Sequence, residues 1–205
     1  SYFVLKLKDG AVGNYKINDF VKGGVLNINK VDPAIVGELK AVSVVYNTAD
    51  QPLVYVNGAT VDKGYGTFQY SLDGYKWEDD IPTGKDVAAY PVQCRIKGDD
   101  NHNDLALPTL DSEITPKDIT AGDFTFMVGE EETDVVVYNG SAIDVKIKSD
   151  LKETEEYTVV VPAGLTDADK YTFTFTGTGN YQAIVTKDFT INKAAATVTA
   201  PTAIA

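Results

Sequence analysis

Tyr171-Thr-Phe-Thr-Phe-Thr-Gly-Thr-Gly-Asn-Tyr181, followed by a strand-like run that closes on Ile191-Asn-Lys193, decides the reading of this chain. From Tyr171 to Thr176 aromatic residues and threonines alternate. That is the two-residue period of a strand with one apolar and one solvated face. Gly177 to Asn180 is turn material, and the segment up to Ile191 resumes the apolar pattern. The stretch reads as strand, turn, strand.

The same plan recurs elsewhere, which is the first thing to look for in a chain of this length. One copy runs from Tyr2 through Gly13-Asn14-Tyr15 to Ile28-Asn29-Lys30. A diverged copy runs from Tyr90 through Gly98-Asp99-Asp100-Asn101-His102 to Ile114-Thr115-Pro116-Lys117. The isoleucines at 28, 114 and 191 are spaced 86 and 77 residues apart. Val45-Tyr46-Asn47 matches Val137-Tyr138-Asn139-Gly140, 92 residues further on, and Asp86-Val-Ala-Ala-Tyr90 matches Asp167-Ala-Asp-Lys-Tyr171. Three landmarks in one order imply duplication. Residues 1–30 are therefore expected to be the last strands of a truncated unit. A full unit is expected at 31–116 and a second at 117–194, with 195–205 a linker or the first strand of a following unit. The parent protein is expected to continue in both directions.

Other segments agree. Phe68-Gln-Tyr-Ser-Leu72 alternates, and Asp73-Gly74 is a hairpin signal leading into Tyr75 and Trp77. Val135-Val-Val-Tyr138 and Tyr157-Thr-Val-Val-Val161 are further strands, and no segment sustains helical spacing with caps. Twelve tyrosines and 17 glycines in 205 residues fit strands joined by turns. Short strands broken by Gly, Pro and Asp indicate an all-β fold of antiparallel sandwiches.

The landmarks resemble bacterial Ig-like repeats of the MBG-like type. Val45-Tyr46-Asn47 with Gln51-Pro52-Leu53-Val54, Tyr70-Ser-Leu-Asp-Gly-Tyr-Lys-Trp77, Ile81-Pro-Thr83 and Gly98-Asp-Asp-Asn-His-Asn-Asp104 carry the likeness in the first full unit. Tyr138-Asn-Gly140, Tyr157-Thr-Val159, Gly177-Thr-Gly-Asn-Tyr181 and Phe189-Thr-Ile191 carry it in the second. Two departures stand out: Asn47-Thr48 replaces the family's Asn-Gly, and Ala88-Ala89-Tyr90 replaces its Ala-Gly-Thr-Tyr. The resemblance implies tandem immunoglobulin-like modules with extracellular spacing, adhesion or scaffolding roles, and no shared catalytic set.

The composition excludes some functions. A formal charge of −12 repels phosphate backbones, so nucleic acid is a poor partner. No apolar run approaches the ~18 residues of a membrane-spanning helix. One cysteine rules out an internal disulfide; Cys94 falls on the Val92/Cys94/Ile96 face and reads as a small core residue.

Candidate chemistry is sparse, and no catalytic, cofactor or metal residue is assigned. A nucleophile–base pair would need His102, the one histidine, which sits in an Asn/Asp turn. Asp99, Asn101 and Asn103 have the 1-3-5 spacing of a Ca²⁺ loop, but Asp104 and Leu110 stand where that loop needs Gly and Glu. The Asp99–Asp104 stretch is read as a polar turn, with weak Ca²⁺ binding the alternative. Tyr65, Tyr70, Tyr75 and Trp77 could stack on a sugar. Yet Phe68, Tyr70 and Leu72 share one strand face, as core residues would, and the resemblance places Trp77 in a structural hairpin, so the group is read as core. Gly64-Tyr-Gly66 lacks the helix a phosphate loop requires. The expected function is a non-enzymatic spacer or scaffold of a bacterial cell-surface or secreted protein, elongated in shape, with neighbouring modules as partners. The alternative is a module that binds a glycan or host protein.

Overall fold

The computed structural model describes residues 17–21 and 25–197, with side chains from Ile28 onward. The Tyr2 and Gly13–Tyr15 landmarks and residues 198–205 lie outside that range. Ile17–Val21 pairs antiparallel with Val25–Ile28. These are two paired strands where one strand is expected between Tyr15 and Ile28.

The chain divides into two compact units, Ser1–Thr115 and Pro116–Ala205. Within the described residues the helical content is two single 3-10 turns, Asp62–Gly64 and Ala121–Asp123. The fold is all-β.

In the first unit the long strand Ala88–Lys97 lies at the centre of one sheet. Thr67–Ser71 pairs along one edge; Leu110–Thr115 and the short Leu105–Ala106 pair along the other. Ser43–Val45 then runs parallel to Leu110–Thr115. The second layer pairs Ile35–Ala41 with Val54–Val61 and Gln51–Pro52 with Thr83–Gly84. In the second unit Lys170–Gly177 is central, flanked by Tyr157–Val160 and Ile184–Asn192, with Val135–Val137 parallel outside the latter. Its other layer places Thr125–Val128 between Glu131–Glu132 and Val145–Lys148.

The parallel pairs refine the antiparallel expectation, and they have a topological cause. After Ala41 the chain leaves one sheet for the other, so Ser43–Val45 arrives beside the unit's last strand running the same way. The second unit repeats this crossing at Val135–Val137. Val44 pairs with Ile114 and Val136 with Ile191. The landmarks that match in the sequence are thus hydrogen-bonded neighbours in space.

Both units also open alike. Val31 makes a parallel bridge to His102, with Val31 N donating to Asn101 O at 3.2 Å. Lys117 pairs in parallel with Tyr181 and donates to Asn180 O at 3.0 Å. The chain passes close here: a Cβ on Gly98 would strike the Asn103 carbonyl, and one on Gly177 the Gln182 carbonyl. Glycine is required at both.

The interiors differ. Leu53, Val54, Val92, Cys94, Ile96 and Ile114 are buried in the first unit. The second buries Phe124, Phe126, Phe173, Phe175 and Phe189, all at 0% exposure. Phe124, just before Thr125–Val128, stacks on Phe175 at 3.9 Å, and Phe126 lies tilted 4.5 Å from Phe173, so rings from the two layers pack on one another.

Candidate functional site

Corner and turn chemistry recurs in both units. Tyr90 donates its hydroxyl to Asp86 O at 2.8 Å. The Tyr171 oxygen lies 3.0 Å from both Asp167 O and Gly164 O and donates to one of them at a time. A tyrosine near the start of a central strand, tied to backbone four residues upstream, is the tyrosine corner of immunoglobulin-like sandwiches. The Asp-x-x-x-Tyr landmark has this physical basis. Asn47 Oδ1 accepts from Ala49 N at 3.0 Å and Asn139 Oδ1 from Ser141 N at 2.9 Å, so both Tyr-Asn pairs close an Asx turn. The next residue is left-handed in both, Gly140 at φ 81° and Thr48 at φ 72°. Thr48 therefore holds a conformation that suits glycine.

The aromatic group singled out in the sequence splits apart. Tyr70 is core at 4% exposure, Phe68 and Tyr65 are half-buried, and Leu72 is exposed. Tyr75 is 91% exposed. Trp77 is half-buried on the outside of the sheet, with the Arg95 guanidinium 4.2 Å above its ring. This corrects the core reading of Tyr75, Trp77 and Leu72. The hairpin ends its pairing at Tyr70–Glu78, after which Asp73 Oδ1 gathers the Tyr75 and Lys76 amides at 2.8 Å each. These amides pull the Asp73 carboxyl below the usual carboxylate range. Arg95 is oriented by two hydrogen bonds to Gln69 Oε1, at 3.0 and 2.7 Å.

The polar loop is spent on itself. Asp99 Oδ1 accepts from Asn101 N at 2.7 Å and lies 2.6 Å from His102 Nδ1. The Asn101 amide, then the His102 ring, hold the Asp99 carboxyl below its ordinary value. Asp104 takes Lys97 Nζ at 2.8 Å and Gly98 N at 3.1 Å, and Asn103 Nδ2 donates to Asp32 Oδ1 at 2.8 Å. No group of three or more His, Cys, Asp or Glu that could hold a metal occurs among the described residues.

His102 is not an exposed turn residue. It is 3% exposed and stacks on Tyr65 at 4.2 Å, with Nε2 buried and without a hydrogen-bond partner. Contact with the Asp99 carboxylate requires a proton on Nδ1. The signal was in the sequence: His102 falls where the second unit has Tyr181, which is also buried. The Cys94 thiol is 3% exposed, and burial pushes it up to about 11, the wrong direction for a nucleophile.

The two-layer units, their corner tyrosines and their matching crossover strands define immunoglobulin-like β-sandwiches in tandem. Residues 107–178 match the family described as bacterial Ig-like domain, in agreement with the resemblance read from the sequence. No curated protein and no solved structure matches the chain. Bacterial Ig-like domains are generally non-catalytic and occur in bacterial surface proteins. Among the described residues no helix is long and apolar enough to cross a membrane.

Proposed function

We propose that this chain is a non-enzymatic spacer segment of a bacterial cell-surface or secreted protein, holding a more distal domain away from its anchor. The observation that carries the reading is the economy of the junction: only Pro116 stands between Leu110–Thr115 and Lys117–Asp118. A proline link of this length favours limited bending over free swivelling. Tandem repeats of this kind extend by the addition of units. Small-angle scattering on residues 28–197 tests it. The expected maximum dimension is well beyond that of a globule of equal mass; a compact particle contradicts the spacer reading.

A second reading has one specific observation behind it. Trp77 lies outside the core under Arg95, two residues after the exposed Tyr75. Flat aromatics beside an oriented guanidinium suit a glycan face or a protein partner. Glycan-array binding that disappears in Trp77→Ala, with the melting temperature kept, favours this reading. Absence of binding to any glycan, with stability lost in Trp77→Ala, removes it.

A further inference from the structure

Cys94 and Phe175 occupy equivalent places, each four residues after its corner tyrosine and each facing the core. The aromatic ring is displaced rather than lost. Tyr70 lies directly opposite Cys94 on the adjoining strand, where Val159 lies opposite Phe175. Moving the ring one strand sideways fills the core on the Tyr70 side and leaves it short of atoms on the other. On that other flank is a cavity of about 220 Å³, bounded by Ile35 and Leu39 from one sheet, by Cys94 and Leu110 from the other, and by Leu107 and Pro108 from the connection that precedes Leu110. Its walls are almost wholly apolar and it opens to solvent on one side. Glu38 is the one charged residue on its lining, and its carboxylate is already held by Lys40 Nζ at 2.7 Å and Asn57 Nδ2 at 3.0 Å.

We propose that this cavity binds a small uncharged aromatic molecule, from a single ring to a fused pair. The size fits, because an apolar protein cavity of roughly 150 Å³ already admits benzene. Walls that lack partner atoms on one side forfeit dispersion contacts, which a ring would restore. A charged ligand would shed its hydration here without finding a counter-charge. A flexible aliphatic chain would lose rotational freedom that a rigid ring does not have. The second unit is a built-in control, since Phe124 and Phe175 stack at 3.9 Å across the corresponding part of its core.

The test is a titration of the full chain with indole, followed by methyl NMR. Saturable shifts are expected at Ile35, Leu39, Leu107 and Leu110, with Ile191 of the second unit unmoved. Cys94→Leu, which places extra carbon in the cavity, should weaken the apparent affinity at least tenfold. If Cys94→Leu does not fold, Leu110→Phe blocks the same space from the rim and should weaken binding likewise. No saturable shift up to the solubility limit, or equal affinity in a folded blocked variant, overturns the proposal.

Discussion

The two units build one topology around different interiors. The second packs phenylalanines against one another between its layers; the first uses smaller aliphatic groups and a polar tie. The clearest case is Ser112, which occupies the place of Phe189: each lies opposite its corner tyrosine, Tyr90 or Tyr171. Ser112 Oγ accepts from Val42 N at 3.0 Å and donates to Leu53 O at 2.5 Å. It thereby satisfies two backbone groups at the point where the chain changes sheets. What the positions share is burial, and what fills them is negotiable as long as volume and polar partners are accounted for.

That comparison can be broken by exchanging the two solutions. The largest effect is expected for Phe175→Ala, about 3–5 kcal/mol by chemical denaturation, against about 1 kcal/mol for Cys94→Ala at the equivalent site. Similar losses at both would mean that the interiors are not organised as described. Next, Ser112→Ala should cost about 1–3 kcal/mol, because Val42 N–H and Leu53 C=O are left buried and unpaired. A neutral Ser112→Ala would remove the polar tie from the account.

Smaller effects sharpen the likeness rather than the difference. Tyr90→Phe and Tyr171→Phe should each lose about 1 kcal/mol, the net worth of one intramolecular hydrogen bond. A loss in one alone would show that the corners are not equivalent. Thr48→Gly should stabilise the first unit by up to ~1 kcal/mol, and Gly140→Thr should destabilise the second by a similar amount. The smallest effect concerns pH. The Cys94 thiol ionises near 9.0 when free and is pushed up to about 11 by burial. The unfolded chain therefore releases this proton first, and stability is lost as pH rises from about 9 toward 11. Comparing urea midpoints at pH 8.5 and 10, wild type should lose more than Cys94→Ala; equal losses would contradict burial of the thiol.

Much of this was legible in the sequence because the repeating landmarks are backbone devices. Asp86…Tyr90 and Asp167…Tyr171 are corners, Asn47 and Asn139 are Asx turns, and Ile114 and Ile191 anchor parallel pairs. Such features demand particular side chains and therefore survive divergence. Parallel pairing was not legible, since period-2 alternation is blind to strand direction. Trp77 was misread because a place in a hairpin does not say which residues stay over the core once pairing ends at Glu78. His102 looked solvated because its neighbours are polar. Its burial comes from Tyr65 and from the Val31 crossing, both distant in sequence. The cavity beside Cys94 was out of reach for a related reason, because volume depends on which strands face each other.

The central claim is that each unit closes its own interior. Native-state hydrogen exchange on Phe175→Ala, compared with wild type, tests it most directly. Protection should fall sharply across Lys170–Gly177 and Ile184–Asn192 and stay unchanged across Ala88–Lys97 and Leu110–Thr115. An equal drop in all four strands would mean one shared core, and the account would fail.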